Sequence, residues 1–391
     1  MIETKFKDSE LGPIPEDWEV KSVKDFSNIV TGATPSTDNP NYWGGNIRWM
    51  SSGELNNKII YDVIGRITQD GYNSASTHML PVDCVLIGLA GQGKTRGTAA
   101  INKVPLCTNQ SIGAILPCNT VNPHYLYHFI DNQYLNLRAL SSGDGGRGGL
   151  SKTLLLNFKI ILPLHISEQE RIAEALSDVD ALIKELDALI HKKRMVLKAT
   201  MQDLLTARRR LPGFSEPWKE VKLGEIAKIS KGQSLQSCDF INGPYPVIAG
   251  GMSPQGYHKY YNREENTITI SASGANAGYV ALWKSNIFAT DCSTIETVDR
   301  YVIEFMYFAL KNIQIIIYKS QIGGAQPHIY PKELNKLHIL FTEDISEQRA
   351  IAEILSDMDA EIAELEKKKE KYTSIRQGMM QQLLTGKIRL I

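Results

Sequence analysis

Between residues 167 and 211 the apolar positions Ile172, Leu176, Val179, Ile183, Leu186, Ile190 and Leu197 fall at spacings that alternate between four and three. A sustained period near 3.5 residues predicts a helix with one narrow apolar seam, the pattern of a coiled coil rather than of a helix lying flat on a sheet. The pattern returns at 346–390, where Ile351, Leu355, Met358, Ile362, Leu365, Tyr372, Met379 and Leu383 hold the same register. The two stretches align without a gap at a constant offset of 179 residues, and roughly half their positions are identical. Lys193 interrupts the first seam and Lys369 the second. At about 1.5 Å per residue, about 40 residues make a rod of about 60 Å. Ser167 and Ser346 stand where N-caps are expected, with Glu168 and Glu347 placing negative charge in the first turns.

Ahead of each helical stretch the pattern changes to short β-rich runs broken by turns. The first block contains NIRWMSSG, CVLIGLAG, AAINKV, SIGAILP and NFKIILP, with a helix expected over 123–140. The second contains YPVIAGG, NTITISASG, YVALW and STIET, then a helix over 301–311 and a strand at LNKLHILF. Both blocks open alike: Trp18 and Trp218 are each followed by a short amphipathic stretch and, 14 positions on, by Gly32 or Gly232. This repeat has an offset of 200 residues, so the second block is shorter by 21. The chain therefore reads as two halves, with segments at 1–163, 164–211, 212–342 and 343–391, each mixed α and β block leading into a long helix. A Gly-rich loop, SSGDGGRGGLSK, precedes the last strand of the first block, and SQIGGAQPHIYPK takes the same place in the second. Two readings stay open for these loops, a mobile turn or a ligand contact.

Composition narrows the class. Of 391 residues, 42% are hydrophobic and 22% charged, and no apolar run approaches the length of a membrane span. The N-terminal MIETKFKDSELGPIPEDW lacks the apolar core of a signal peptide, which points to the cytoplasm. Five cysteines, an odd number with no C-x-x-C pair, are expected as free buried thiols. Lys+Arg and Asp+Glu are equal at 43 each, so no overall positive charge marks a nucleic-acid binder, and local surfaces must decide. The basic runs at 191–194 and 367–369 are either solvated helix faces or contacts to a DNA backbone.

Two motifs invite an enzymatic reading. Residues 88–95, GLAGQGKT, satisfy the phosphate-loop pattern after a β-like run. That mechanism needs a helix starting at Lys94 and Thr95, whose amides hold the phosphates. The chain continues instead as TRGTAAINKVP, a strand-like run, and the matching stretch ISASGANAGYVALW has no Lys-Thr. The loop reads as a basic turn with Lys94 and Arg96 exposed. The run DNPNYW at 38–43 lacks the second proline of an amino-methyltransferase loop, and no Gly-rich turn for S-adenosylmethionine lies upstream. No paired His/Cys metal spacing and no Ser/His/Asp set is present, so neither a catalytic nor a metal residue is assigned.

The order GATPSTDNPNYWGGNIRW, GKTRGTAAIN with TNQSIGAI, GGLSK, ILPL, SEQERIAEAL and LLT before a basic tail resembles the specificity subunit of type I restriction-modification enzymes. The resemblance covers essentially the whole chain. It implies an α+β fold: two pseudo-symmetric globular mixed α/β target-recognition domains separated by two long helices that form an antiparallel coiled coil. It also implies a non-catalytic DNA-recognition subunit, in which each domain reads one half of a split double-stranded target. The partners implied are two methyltransferase subunits, which modify adenine, and restriction/translocase subunits. The chain itself is expected to hold no cofactor, with S-adenosylmethionine, ATP and Mg in the partners. Two alternatives belong to other classes, a P-loop NTPase and a coiled-coil adaptor with two protein-binding heads.

Two diverged heads on a near-identical rod amount to a caliper, in which half-sites about one helical turn, roughly 34–36 Å, apart would lie on one face of the duplex. Base edges are read by side chains that donate and accept hydrogen bonds. Candidates in the first head are Thr34, Ser36, Thr37, Asn39, Arg48, Lys94, Arg96 and Arg147. In the second they are Gln233, Ser234, Lys259, Asn276, Gln321 and Gln326. Trp18, Tyr42, Trp43 and Trp49 read as core. After the first helix comes RRRLPGFSEPW, whereas the N-terminal KFKDSELGPIPEDW looks like the continuation that KIRLI lacks. The halves are then circularly related, and the N-terminal segment is expected near the C-terminal end of the second helix.

Overall fold

Runs of aliphatic and β-branched residues buried on both faces form the sheet at the centre of each head. The computed structural model describes residues 4–91, 93–141, 149–235, 242–323 and 326–391. It divides into one unit of residues 1–185 with 369–391 and another of residues 186–368. In the first unit the central sheet has the order Ile29–Thr31, Ile112–Ile115, Val85–Gly88, Ala99–Asn102, Ile59–Ile60. Its pairs are antiparallel except the last. A smaller sheet sets Trp43–Met50 between Arg66–Ile67 and Cys107–Thr108, the latter parallel to it with Trp49 opposite Cys107. The strand Lys159–Pro163 closes the head by pairing antiparallel with Trp18–Ser22.

The second unit repeats the plan. Its central sheet runs Ile229–Lys231, Cys292–Ile295, Thr267–Ser271, Val280–Trp283, all antiparallel. Tyr245–Ile248 again has a parallel neighbour, Phe288–Ala289, and Lys219–Lys222 pairs with His338–Phe341. Among the described residues this unit has no counterpart of the strand Ile59–Ile60, in keeping with its shorter block.

Four helices position the heads: α1 (Pro123–Asn132) in the first head, the long α2 (Ile166–Leu205), α3 (Ile303–Asn312) in the second head, and the long α4 (Ile345–Leu383). The helix expected over 123–140 breaks at Gln133, between α1 and a second short helix. The long helices begin one residue before the serines, so Ser167 and Ser346 lie inside the first turn and are not N-caps. For α4 the cap is Asp344, whose carboxylate accepts from the amides of Ser346 (2.8 Å) and Glu347 (3.2 Å).

Glu168 and Glu347, in these first turns, point inward. Glu168 is 3% exposed and Glu347 0%. Trp18 Nε1 donates to Glu168 (3.2 Å), and Arg389 donates to both its oxygens (2.6 and 2.8 Å) while covering the indole. Trp218, Glu347 and Arg210 repeat the arrangement at 3.0, 2.7 and 3.0 Å. Arg389 also forks onto Asp17 at 2.8 and 2.6 Å and holds that carboxyl below its ordinary range. Beside it, Gly386 takes φ +70° with no space for a side chain against Pro15. The N-terminal segment thus packs on the C-terminal end of α4, the relation expected of circularly related halves. Ala207, at the matching position after α2, takes the same left-handed conformation at φ 55° without being a glycine.

Within each unit the long helices run antiparallel, since partner numbers fall along α4 as they rise along α2. In the first unit Glu168 meets Arg389 and Asp180 meets Arg376; in the second Lys193 meets Glu361, Arg194 meets Glu366 and Glu347 meets Arg210. The basic run at 191–194 is therefore partly paired across the helices. Of the seam positions, Ile172, Leu176 and Leu383 join the first head's core, with Met379 against it; Ile351 and Leu355 join the second's, with Leu197 against it. Leu186, Ile190 and Ile362 are buried on the helices, whereas Val179, Ile183, Met358, Leu365 and Tyr372 are half-buried. Cys84, Cys107 and Cys292 are buried free thiols and Cys118 is a half-buried one; Cys238 lies outside the described residues.

His128 of α1 is 1% exposed, 3.0 Å from the Ser177 hydroxyl and 3.8 Å from the Asp180 carboxylate. Burial, reinforced by Arg376, pushes its pKa down to about 3 from 6.5, so the imidazole is neutral despite the nearby acid.

Both buried groups can be probed by substitution. Arg389→Ala strands Glu168 without its cation and should cost the first unit roughly 3–5 kcal/mol, seen as an earlier urea transition of that unit. Because the folded pKa of His128 lies below the unfolded value, the unfolded chain binds the extra proton between the two. The first unit should then lose stability as pH falls from about 6.5 toward 3, by up to ~1.4 kcal/mol per pH unit from this residue. His128→Phe, copying Phe308 of the second head, should flatten that part of the profile.

Candidate nucleic-acid interface

In each head one end of the central sheet gathers the loops. In the first, the loops after Ile29–Thr31 and Val85–Gly88 and the one before Ile112–Ile115 emerge together, because the three strands are antiparallel neighbours. Backbone bonds tie them: Leu89 N donates to Ser111 O (2.8 Å), and Leu150 N to Leu89 O (2.8 Å). Two glycines make the close approach feasible. A Cβ on Gly32 would overlap the Thr108 carbonyl, and one on Gly232 would overlap that of Thr290, the same contact in both heads.

The loops at this end carry Thr34, Ser36, Thr37, Asn39, Lys94 and Arg96. Thr34 donates to the side chain of Gln110 (2.6 Å). Trp43 and Trp49 donate to the carbonyls of Ser36 (3.1 Å) and Ala33 (2.9 Å), and their rings meet edge to face at 5.0 Å. They and Tyr42 are half-buried supports of the loop, whereas Trp18 is fully buried. The Asn39 side chain accepts from the Asn41 amide (3.1 Å), which fixes the turn. Lys94 is exposed, but Arg96 is half-buried rather than exposed as expected, because its turn folds back toward Arg138 and Tyr134. Arg48 stands apart on its strand, with Nε on Asp62 at 2.8 Å beside Arg66, and this bond holds the Asp62 carboxyl below its ordinary range. Arg147 lies outside the described residues.

In the second head the same sheet end collects Gln233, Ser234, Asn276, Gln321 and Gln326. Gln321 Nε2 donates to Ala277 O (2.6 Å), and Gly274 N to Pro327 O (3.1 Å), which ties two of the loops together. Gln233 accepts from Asn262 (3.3 Å). Lys259 lies on the adjoining hairpin with its ammonium 5.6 Å from the Tyr260 ring. A recess of about 420 Å³ opens at this end, lined among others by Lys231, Ser234, Asp291, Cys292 and Tyr330. Ser273 donates to Asp291, Lys231 sits over the Tyr330 ring at 5.6 Å, and burial keeps the Cys292 thiol protonated, its pKa pushed up to about 12.

Gln110, Lys231, Asp291 and Tyr330 were not singled out from the sequence. A signal existed for two of them, since TNQS at 108–111 and TDCS at 290–293 are the same element, with Asn109 in one head where Asp291 stands in the other.

Among the described residues, the phosphate-loop pattern at 88–95 has its strand but no helix from Lys94 and Thr95, and the strand Ala99–Asn102 follows. The carbonyls of Gly93 and Lys94 accept from Arg138 (2.7 Å) and Tyr134 (3.1 Å), whereas a phosphate cradle requires amides. Among the described residues no group of three or more His, Cys, Asp or Glu is placed to hold a metal ion, and no helix is long and apolar enough to cross a membrane.

The duplicated architecture has a counterpart among known proteins. A family model, the type I restriction modification DNA specificity domain, matches the chain twice, over residues 15–192 and 215–372. The chain belongs to this family. The MjaIX specificity subunit of Methanocaldococcus jannaschii is 30% identical over 265 residues, which span 63% of the chain and 60% of that relative. The MjaVIII specificity subunit of the same organism is 23% identical over 425 residues, covering 99% of the chain and 97% of the relative. The fold is similar to the crystal structure of a type I restriction-modification S subunit from M. genitalium, with a TM-score of 0.70 at 18% identity over 94% of this chain and 96% of that one. In both family matches the domain includes the sheet-end loops.

Gly32→Ala and Gly232→Ala should each lower the thermal midpoint of its own unit by a few degrees, on the order of 1–3 kcal/mol of overpacking. Gly93→Ala is the control, since nothing lies within 4 Å of its added carbon.

Proposed function

We propose that this chain is the DNA sequence-recognition subunit of a type I restriction-modification complex, each head reading one part of an asymmetric bipartite target in double-stranded DNA. The observation that carries the reading is the double match to the specificity domain, laid over two heads that share a scaffold and differ in their sheet-end loops. The contacts at Gly32 and Gly232 hold those loops in the same way, while Thr34 and Gln110 on one face and Gln233, Ser234 and Asp291 on the other offer different donors and acceptors. Different loops on one scaffold call for different bases.

In this reading the chain is not itself an enzyme. It positions two methyltransferase subunits, which supply S-adenosylmethionine and modify adenine, and restriction/translocase subunits that use ATP and Mg join the assembly. The complex works on chromosomal DNA in the cytoplasm.

Sequencing of methylated bases in the host tests the proposal. Deleting the gene should abolish adenine methylation at one bipartite motif, and exchanging residues 1–163 for another head should change one half-site while leaving the other intact. Unaltered methylation after deletion would sink the assignment.

A further inference from the structure

Each head is seated on the long helices through the same lock. The amide at the start of the head helix donates to a buried glutamine, Asn122 N to Gln169 (2.8 Å) in one unit and Val302 N to Gln348 (2.8 Å) in the other. The lock and the 179-residue helix repeat align the two seats residue by residue. Asp131 of α1 corresponds to Lys311 of α3, and His128 to Phe308. On the long helices Asp180 corresponds to Asp359, and Arg376 to Leu197.

The two seats have opposite chemistry. In the first, Arg376 of α4 reaches Asp131 (3.0 Å) and Asp180, and Asp131 also accepts from Lys58 of the same head (2.6 Å). The arginine and both aspartates are at least three-quarters buried. In the second, Lys311 lies between the rings of Tyr279 (5.0 Å) and Tyr307 (5.9 Å). Burial draws the Lys311 pKa down while Asp359 holds it up, and Leu197 packs on the core where the first seat has arginine. Each native seat is electrically balanced: Asp131, Asp180, Arg376 and Lys58 cancel in one, Lys311 and Asp359 in the other.

We infer that positions 131/311 and 197/376 form a seat code that ties each recognition head to its own place on the helices. The seat with Arg376 accepts a head whose helix ends in an acid, and the seat with Leu197 accepts one whose helix ends in a base. Exchange leaves one unmatched charge either way. Head one on the second seat brings Asp131 and Lys58 against Asp359 with no arginine, and head two on the first seat brings Lys311 against Arg376 with only Asp180 between them. An unmatched charge in a desolvated contact is destabilising, so the code limits which combinations of heads one chain can carry.

The test reads stability alone and is separate from the DNA assignment. A full-length chimera carries residues 18–163 in place of 218–342, and its thermal midpoint is measured with and without Leu197→Arg. Leu197→Arg should raise the midpoint of the chimera by at least about 3 °C and lower that of the parent chain by a similar amount. A shift of the same sign in both, or none in the chimera, overturns the code. Folding of the chimera only when it also carries Leu197→Arg supports it. If the chimera folds in neither form, the parent chain decides: Lys311→Asp should lower its midpoint and adding Leu197→Arg should recover at least half of that loss, whereas a further fall overturns the inference.

Discussion

The structure depends on two carboxylates that have been taken out of water. Burying an ionised glutamate is tolerable only where a cation and a donor meet it directly, and Glu168 and Glu347 each have an arginine fork and an indole N–H. The indole comes from the start of a head, the glutamate from the start of the long helix that follows it, and the arginine from just beyond the end of the other long helix. Satisfying one buried charge therefore joins three distant parts of the chain. Around that junction the apolar ends of both helices enter the head's core, Leu176 with Leu383 and Leu384 in one unit, Leu355 with Leu204 and Leu205 in the other. A head is thus completed by both helices, which explains why Ser-Glu-Gln at the helix start and Leu-Leu-Thr at its end recur unchanged where the helices meet the heads.

Much of this was legible in the linear pattern, and the failures share a cause. A seven-residue period specifies a long helix, and both helices start within a residue or two of where the pattern places them. Runs such as CVLI and TITIS announce buried strands because both faces are apolar. What periodicity cannot show is the partner. Glu168 in a first turn looks like an ordinary complement to the helix dipole, and only the fold reveals Trp18 and Arg389, 150 and 221 residues away, on its two oxygens. Ser167 fits an N-cap by residue type, yet the helix starts one residue earlier. Arg48, a base-reading candidate in sequence, has in Asp62 a partner that the pattern does not show. The seam register likewise identified apolar positions without indicating that Ile172 and Leu383 face a head core rather than a neighbouring helix alone.

The equality of acidic and basic residues takes on meaning once their positions are known. Many arginines are committed to internal ion pairs: Arg376 and Arg389 join the helices to the first head, Arg210 pairs with Glu347 of α4 in the second unit, and Arg48, Arg66 and Arg263 stay within their own heads. Cations held in this way orient the segments that they join. The sheet-end faces are correspondingly rich in uncharged groups with defined orientation, Thr34 against Gln110 and Gln233 against Asn262, each held by a neighbour. Oriented amides and hydroxyls discriminate among base edges, whereas a dense cationic surface attracts any duplex equally. In the proposed role, a recognition subunit that assembles with others can leave much of the phosphate contact to them, and a neutral chain with polar, diverged loops suits that division of labour.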